Sequence, residues 1–146
     1  MVQFEKELDY TASLSRYKSL TNRMKSYARL YSDDAGESHF EDIEIDLVST
    51  DYAPPAPPLE LSVPTSAAQF GFMKAEAGWS SDWHPSSGRN MFIVLSGEWE
   101  VTASDGETRR FGIGSILLVE DTSGKGHKSR VVSDVESLAV MVQLSE

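Results

Sequence analysis

The chain contains no cysteine, so it forms no disulfide, offers no thiolate nucleophile and builds no Cys-ligated zinc site. Any metal would rest on His, carboxylate or amide donors. Histidine is scarce too: His39, His84 and His127 are the only three in 146 residues. No stretch approaches the roughly 20 apolar residues that cross a bilayer. The start, Met1 to Glu7, has neither the basic-then-apolar build of a secretory signal nor the Arg-rich build of a transit peptide, so a cytoplasmic location is expected. Positive charge is outnumbered, with 13 Lys and Arg against 23 Asp and Glu, and the net charge of -10 argues against nucleic acid as a partner. Also lacking are a Gly-x-Ser-x-Gly elbow, a phosphate-cradling Gly-x4-Gly-Lys-Ser/Thr loop and a Gly-x-Gly-x-x-Gly before a helix.

What is present fits one ordinary folded domain, with 40% hydrophobic and 25% charged residues. From Ala12 to Tyr31, apolar residues recur at Leu14, Tyr17, Leu20, Met24, Tyr27 and Leu30, the three-or-four spacing of one helical stripe. The same stretch carries Arg16, Lys18, Arg23, Lys25 and Arg29 and no acid. A basic amphipathic helix can serve a membrane surface, but this stripe mixes Tyr and Ser and lacks Trp and Phe. The expectation is no membrane contact: the helix packs on the rest of the fold or on a second subunit, its basic face near the acidic run from Asp33 to Asp46.

Beyond it the signals are β. Ile43, Ile45 and Leu47 alternate with acids at the two-residue period of a half-buried strand. Pro54, Pro55, Pro57 and Pro58 make a stiff connector, because proline lacks the N–H that a central strand needs. Short β-like runs follow: Leu59 to Val63, Phe70 to Glu76, Met91 to Leu95, Glu98 to Ala103, Arg109 to Phe111, Ile116 to Val119, Ser129 to Val132 and Leu138 to Leu144. Ser96-Gly97 and Ser104-Asp105-Gly106 are hairpin signals. Many short strands without intervening helices indicate an antiparallel sandwich or closed barrel.

The stretch from Gly78 to Gly97 resembles the first motif of the cupin family, G-x5-H-x-H-x3-E-x6-G. Both glycines and His84 match, while Ser86 replaces the second histidine and Asn90 the glutamate. The second motif, G-x5-P-x-G-x2-H-x3-N, is matched at Gly106 and Gly114. Gly112 replaces the proline, Leu117 the histidine and Val131 the asparagine, with His127 following a lengthened loop. The segments Gly36 to Asp42, Leu95 to Glu98 and Gly124 to His127 are similar to those of a group of small bacterial cupins. The resemblance implies an all-β, double-stranded β-helix (jelly-roll) barrel over residues 46–146. Residues 1–45 are then an N-terminal extension holding the basic helix and a first strand.

Cupins hold iron, manganese, nickel or zinc with three imidazoles and a carboxylate, so the resemblance makes His84 and His127 the metal candidates, with water, Glu76 or Glu120 completing a shell. The metal-free alternative keeps both histidines as proton-transferring groups, which suits a side chain that titrates near neutrality. The ordinary alternative for each is a structural hydrogen bond. Aromatic walls from Trp79, Trp83, Trp99, Phe70, Phe72 and Phe92 favour an apolar or ring-bearing ligand; for Trp99 and the phenylalanines, ordinary core is the competing expectation. Asn90 can fix a polar group through its amide, and Arg130, three residues after His127, can hold a carboxylate. The expected function is therefore a small cupin that binds an apolar or carboxylated metabolite. It would transform it through His84 and His127, as an isomerase, a lyase or cyclase, or an oxygenase, with or without a divalent metal. A non-catalytic ligand-binding or sensor module and a structural homodimer are the alternatives, and a homodimer is expected in either case.

Overall fold

The computed structural model describes residue 14 and residues 25–146. Eleven strands make up its regular structure: β1 Ser26–Ser32, β2 Ser38–Glu44, β3 Val48–Thr50, β4 Leu59–Leu61, β5 Ala67–Ala75, β6 Asn90–Ser96, β7 Trp99–Ala103, β8 Thr108–Phe111, β9 Ile116–Glu120, β10 His127–Val131 and β11 Ser137–Leu144. Six of them form one sheet in the order β2-β1-β9-β6-β11-β5, three form a second in the order β10-β7-β8, and β3 pairs with β4. Neighbours distant in sequence, such as β1 beside β9 and β11 between β5 and β6, give the all-β jelly-roll arrangement of two facing sheets.

The core lies between these sheets. Leu30 from β1, Val94 from β6, and Leu117 and Val119 from β9 meet Trp99, Val101 and Ala103 from β7, Phe111 from β8 and Val131 from β10. Alternation along each strand produces this, since β7 reads buried, half-buried, buried, half-buried, buried. At about 25 cal/mol per Å2 of apolar surface removed from water, each fully buried Leu or Val contributes on the order of 2 kcal/mol.

Sequence periodicity misled at one place. The helix expected over Ala12–Tyr31 does not include Ser26–Ser32, which is a strand paired antiparallel to β2 and parallel to β9. Tyr27 and Leu30 are three apart and so suit a helical stripe, yet Ala28 and Leu30 are the buried pair and alternate at the strand period. Leu14 is helical and exposed, and the rest of the expected helix lies outside the described residues. The alternation at Ile43, Ile45 and Leu47 is real only at its start, since β2 runs from Ser38 and stops at Glu44. Both β1 and β2 belong to the six-stranded sheet, although they precede residue 46, where the barrel was expected to begin. The proline run forms the loop of the β3–β4 hairpin. Among the described residues, no helix is long and apolar enough to cross a membrane.

Candidate functional site

A cavity of about 140 Å3 opens between the sheets, walled by Met73, Phe92, Val94, Trp99, Leu117 and Val119 among others, with His84, His127 and Ser129 as its polar members. Trp79 stands edge-on to Trp99, with ring centroids 5.6 Å apart, and completes the aromatic wall. Trp99 is both core and cavity wall, and its indole N–H donates to Ser137 Oγ at 2.6 Å. The volume is close to the roughly 150 Å3 of an apolar cavity that holds a benzene-sized ring.

His84 and His127 meet across a two-residue bridge. The backbone N–H of each donates to the carbonyl of the other at 3.0 Å, and the ring centroids lie 4.7 Å apart. Each ring spends Nδ1 on the protein: His127 Nδ1 donates to Asp121 Oδ2 at 2.5 Å, and His84 Nδ1 donates to the Asp82 carbonyl at 2.8 Å. A neutral imidazole has a single N–H, so using it at Nδ1 leaves Nε2 as a lone-pair acceptor. Neither Nε2 has a hydrogen-bond partner among the described residues. Asp121 is fully buried and its Oδ1 has no partner, so its carboxylate acts on His127 alone. Such an aspartate fixes the ring tautomer and balances the imidazolium that forms when Nε2 takes a proton.

The loop before His127 is shaped by two glycines. Gly124 has φ +77° and Gly126 φ +73°, a region that side chains disfavour. A Cβ on Gly126 would lie 2.1 Å from the His84 carbonyl, and one on Gly124 would lie 2.3 Å from the Gly36 oxygen. Only bare backbone allows this approach. The β1–β2 turn then locks the loop: Lys125 N–H donates to Gly36 O at 2.9 Å, Lys125 Nζ pairs with Glu37 at 2.6 Å, and Ser38 Oγ donates to Gly126 O at 2.7 Å. The family-like segments around Gly36 and Gly124 are thus neighbours in space, and together they hold His127 in place.

Of the residues singled out from sequence, His84, His127, Trp79 and Phe92 line the cavity. Asn90 is buried on the same face of β6 as Phe92, but its amide turns to the Gly88 carbonyl at 3.4 Å and stays out of the lining. Trp83 lies under the Lys128 ammonium, 5.2 Å from the ring centroid, away from the cavity. Arg130 points to the opposite face of β10 and is bound by Glu100 at 2.7 and 2.9 Å. Phe70 and Phe72 are 73% and 67% exposed on the outer face of β5. Neither acid expected near a metal is there: Glu120 is engaged by Arg29 and Arg89, and Glu76 is exposed and paired with Lys74. Among the described residues, no three His, Asp or Glu side chains converge as a metal shell. The donors present are two imidazoles, which do not fit the three-imidazole, one-carboxylate site that cupins use for a metal. Asp121 is the functional residue the motif reading passed over. In the unlengthened second motif, it occupies the asparagine position, four residues beyond Leu117.

No family model and no curated protein matches the sequence. Among solved structures, the chain is similar to a protein of unknown function from Rhizobium leguminosarum bv. viciae, at 24% identity and TM-score 0.44 over 52% of this chain and 69% of that one. It is similar to a cupin-2 domain protein from Shewanella frigidimarina, at 20% identity and TM-score 0.40 over 53% and 70%. It is also similar to the cupin domain of Schizosaccharomyces pombe Cnp3, at 15% identity and TM-score 0.44 over 83% of each chain.

Proposed function

We propose that this protein binds a compact, ring-sized, largely apolar molecule bearing one acidic hydrogen, and that the His84–His127 pair accepts and returns that proton, in an isomerase- or lyase-type reaction. The observation that carries the reading is the shared tautomer: both rings spend Nδ1 on protein acceptors and leave Nε2 without a partner among the described residues, and both line a cavity whose other walls, Ser129 apart, are apolar and aromatic. His127, whose Nδ1 is bonded to a buried carboxylate, is assigned the proton, because that charge balances the imidazolium formed. His84, held by a neutral carbonyl, positions the ligand and shares the proton. No Arg or Lys lines the cavity among the described residues, which narrows the ligand from apolar or carboxylated to apolar.

The test uses phenol, which fits the volume and donates one hydrogen bond, with benzene as the control that donates none. Titration calorimetry should show phenol binding the native protein and weakening roughly 10- to 100-fold in His84→Ala and His127→Ala, while benzene responds little, because a missing hydrogen-bond partner in an apolar site is expensive. Equal loss for both probes would overturn the assignment. Cyclohexanone in D2O then separates chemistry from binding: α-hydrogen exchange lost in both variants supports proton transfer, whereas phenol binding without exchange reduces the protein to a binding module. Metal content close to one equivalent per chain, lost in both variants, would overturn the metal-free form of the reading.

A further inference from the structure

The outermost strand at each end of a sheet presents unpaired backbone N–H and C=O groups, and folded proteins guard such edges with charge, brevity or a covering segment. In the two main sheets the outermost strands are β2, β5, β8 and β10. β2 carries Glu41, Asp42 and Glu44, β8 carries Arg109 and Arg110, and the two strands are tied to each other by the Asp42–Arg109 pair at 2.7 Å. β10 is covered by the chain itself: Ser80 bridges to Arg130 and His84 to His127, and Val131 N–H donates to the Trp79 carbonyl at 2.8 Å.

β5 has none of these devices. It is nine residues long, contains no proline and bears one charge, Lys74, already neutralised by Glu76 and Glu136 at 3.1 Å. On one side it pairs with β11, and no other described strand pairs with it. Its outward side chains Phe70 and Phe72 are exposed, their rings edge-on at 6.4 Å. A long apolar edge of this kind calls for another strand.

The sequence of β5 identifies which strand. Ala-Ala-Gln-Phe-Gly-Phe-Met-Lys-Ala reads nearly the same in both directions about Gly71. Laid antiparallel on its own copy, it sets Phe70 opposite Phe72, Gln69 opposite Met73 and Ala67 opposite Ala75. Lys74 falls opposite Ala68, so no like charges meet. A two-fold interface requires a surface that fits itself when reversed, and this near-palindrome meets that requirement, whereas pairing with an unrelated strand makes no use of it. The centre is uncrowded, since a Cβ on Gly71 would meet nothing within 4 Å.

We propose that β5 pairs antiparallel with β5 of a second copy about a two-fold axis at Gly71, joining the two six-stranded sheets into one. Phe70 and Phe72 of both copies then cluster on the outer face, where cross-strand aromatic pairs stabilise a sheet. The inference goes beyond the proposed function and does not rest on it, because it concerns the sheet edge and not the chemistry of the cavity. Its consequence is that Met73, on the opposite face of β5, lines the cavity from a strand paired on both sides.

Sedimentation of the full-length protein should show a dimer of micromolar or tighter affinity. Phe70→Lys with Phe72→Lys sets like charges opposite one another and should give a monomer. A far-ultraviolet spectrum matching the native one checks that it is folded, as expected for two exposed positions. Mixing it with the Phe70→Glu, Phe72→Glu protein should restore a dimer made of one copy of each. The native chain has no cysteine, so engineered thiols report the register without background. An Ala68→Cys protein mixed with a Lys74→Cys protein should form a disulfide-linked heterodimer. Neither should link to itself, because position 68 of one copy lies about 20 Å from position 68 of the other in this register. A native protein still monomeric at about 0.1 mM, where a micromolar interface is saturated, would overturn the proposal. So would a dimer that survives the paired lysine substitutions, or Ala68→Cys copies that link to each other as readily as to Lys74→Cys copies.

Discussion

His127 and His39 are both held by aspartate, one inside the protein and one on its surface, and they differ in how many ring nitrogens remain free. His127 is buried, bonded through Nδ1 to Asp121 alone, with Nε2 left for a ligand. His39 lies on β2 with Nε2 on Asp33 at 2.7 Å and Nδ1 on Asp105 at 2.9 Å. A neutral ring has one N–H and would turn a lone pair toward one of those carboxylates, so the geometry calls for the imidazolium. The His39 pKa is accordingly raised, by the bond to Asp33 first and that to Asp105 next. Asp33 is lowered chiefly by His39, and Asp105 chiefly by the Glu107 N–H and then by His39. An aspartate beside a histidine therefore does not make a reactive pair by itself. A ring with one nitrogen open can exchange a proton with a ligand, whereas a ring with both occupied is a clasp, here tying the β1–β2 turn to the β7–β8 turn.

Gly126→Ala should break the buried side of this contrast most severely. The left-handed φ and the collision with the His84 backbone together should cost at least about 3 kcal/mol, read as a lower urea midpoint, and phenol binding should be lost with the loop geometry. Asp121→Asn comes next. The amide can turn its NH2 to Nδ1 and shift His127 to the Nε2–H tautomer, so phenol affinity should fall about tenfold, with the tautomer change visible in 15N correlation spectra of the imidazole.

His39→Gln probes the surface side and should act on stability alone. Because the folded pKa lies above the unfolded value of about 6.5, the stabilisation is complete below that pH and disappears as pH rises through the raised value. The Tm gap between native protein and variant should therefore be widest near about pH 6 and close toward about pH 9, with phenol affinity unchanged. Within this window Asp33, Asp105 and Glu37, all lowered, stay ionised and Lys125 and Arg109, both raised, stay charged, so His39 is the group of this cluster that titrates. A gap that widens with pH would refute the clasp. The smallest effects belong to Arg130→Ala and Trp83→Ala, which should change phenol affinity less than about twofold, since exposed ion pairs and cation–π contacts contribute about 1 kcal/mol or less and neither residue touches the cavity.

Strands β5 to β11 were legible within one to three residues at each end, because turn residues bracket each alternating run. β1 was not, because a stretch with Tyr27, Ala28 and Leu30 satisfies three-residue and two-residue spacing alike until a partner strand exists. At the site, motif spacing pointed to His84, whereas it put Leu117 at the second histidine position, and His127 entered only as the histidine after a lengthened loop. Arg130 was misplaced by parity: three residues along a strand is an odd number, so His127 and Ser129 face the cavity while Lys128 and Arg130 face out. Phe70 and Phe72 share the difficulty, since alternation puts both on one face of β5 without saying which face is the core.

By itself the sequence determined an all-β chain with cysteine-free chemistry, two candidate histidines and turns placed by glycine, because alternation, turn propensity and residue inventory are local properties. Only the tertiary structure decided that Asp121 reaches His127 across a six-residue loop, that Gly36 meets Gly124, and that both imidazoles spend Nδ1 on protein acceptors. Those depend on which backbone surfaces approach within van der Waals contact, and that distance is set by the pairing of strands far apart in the chain.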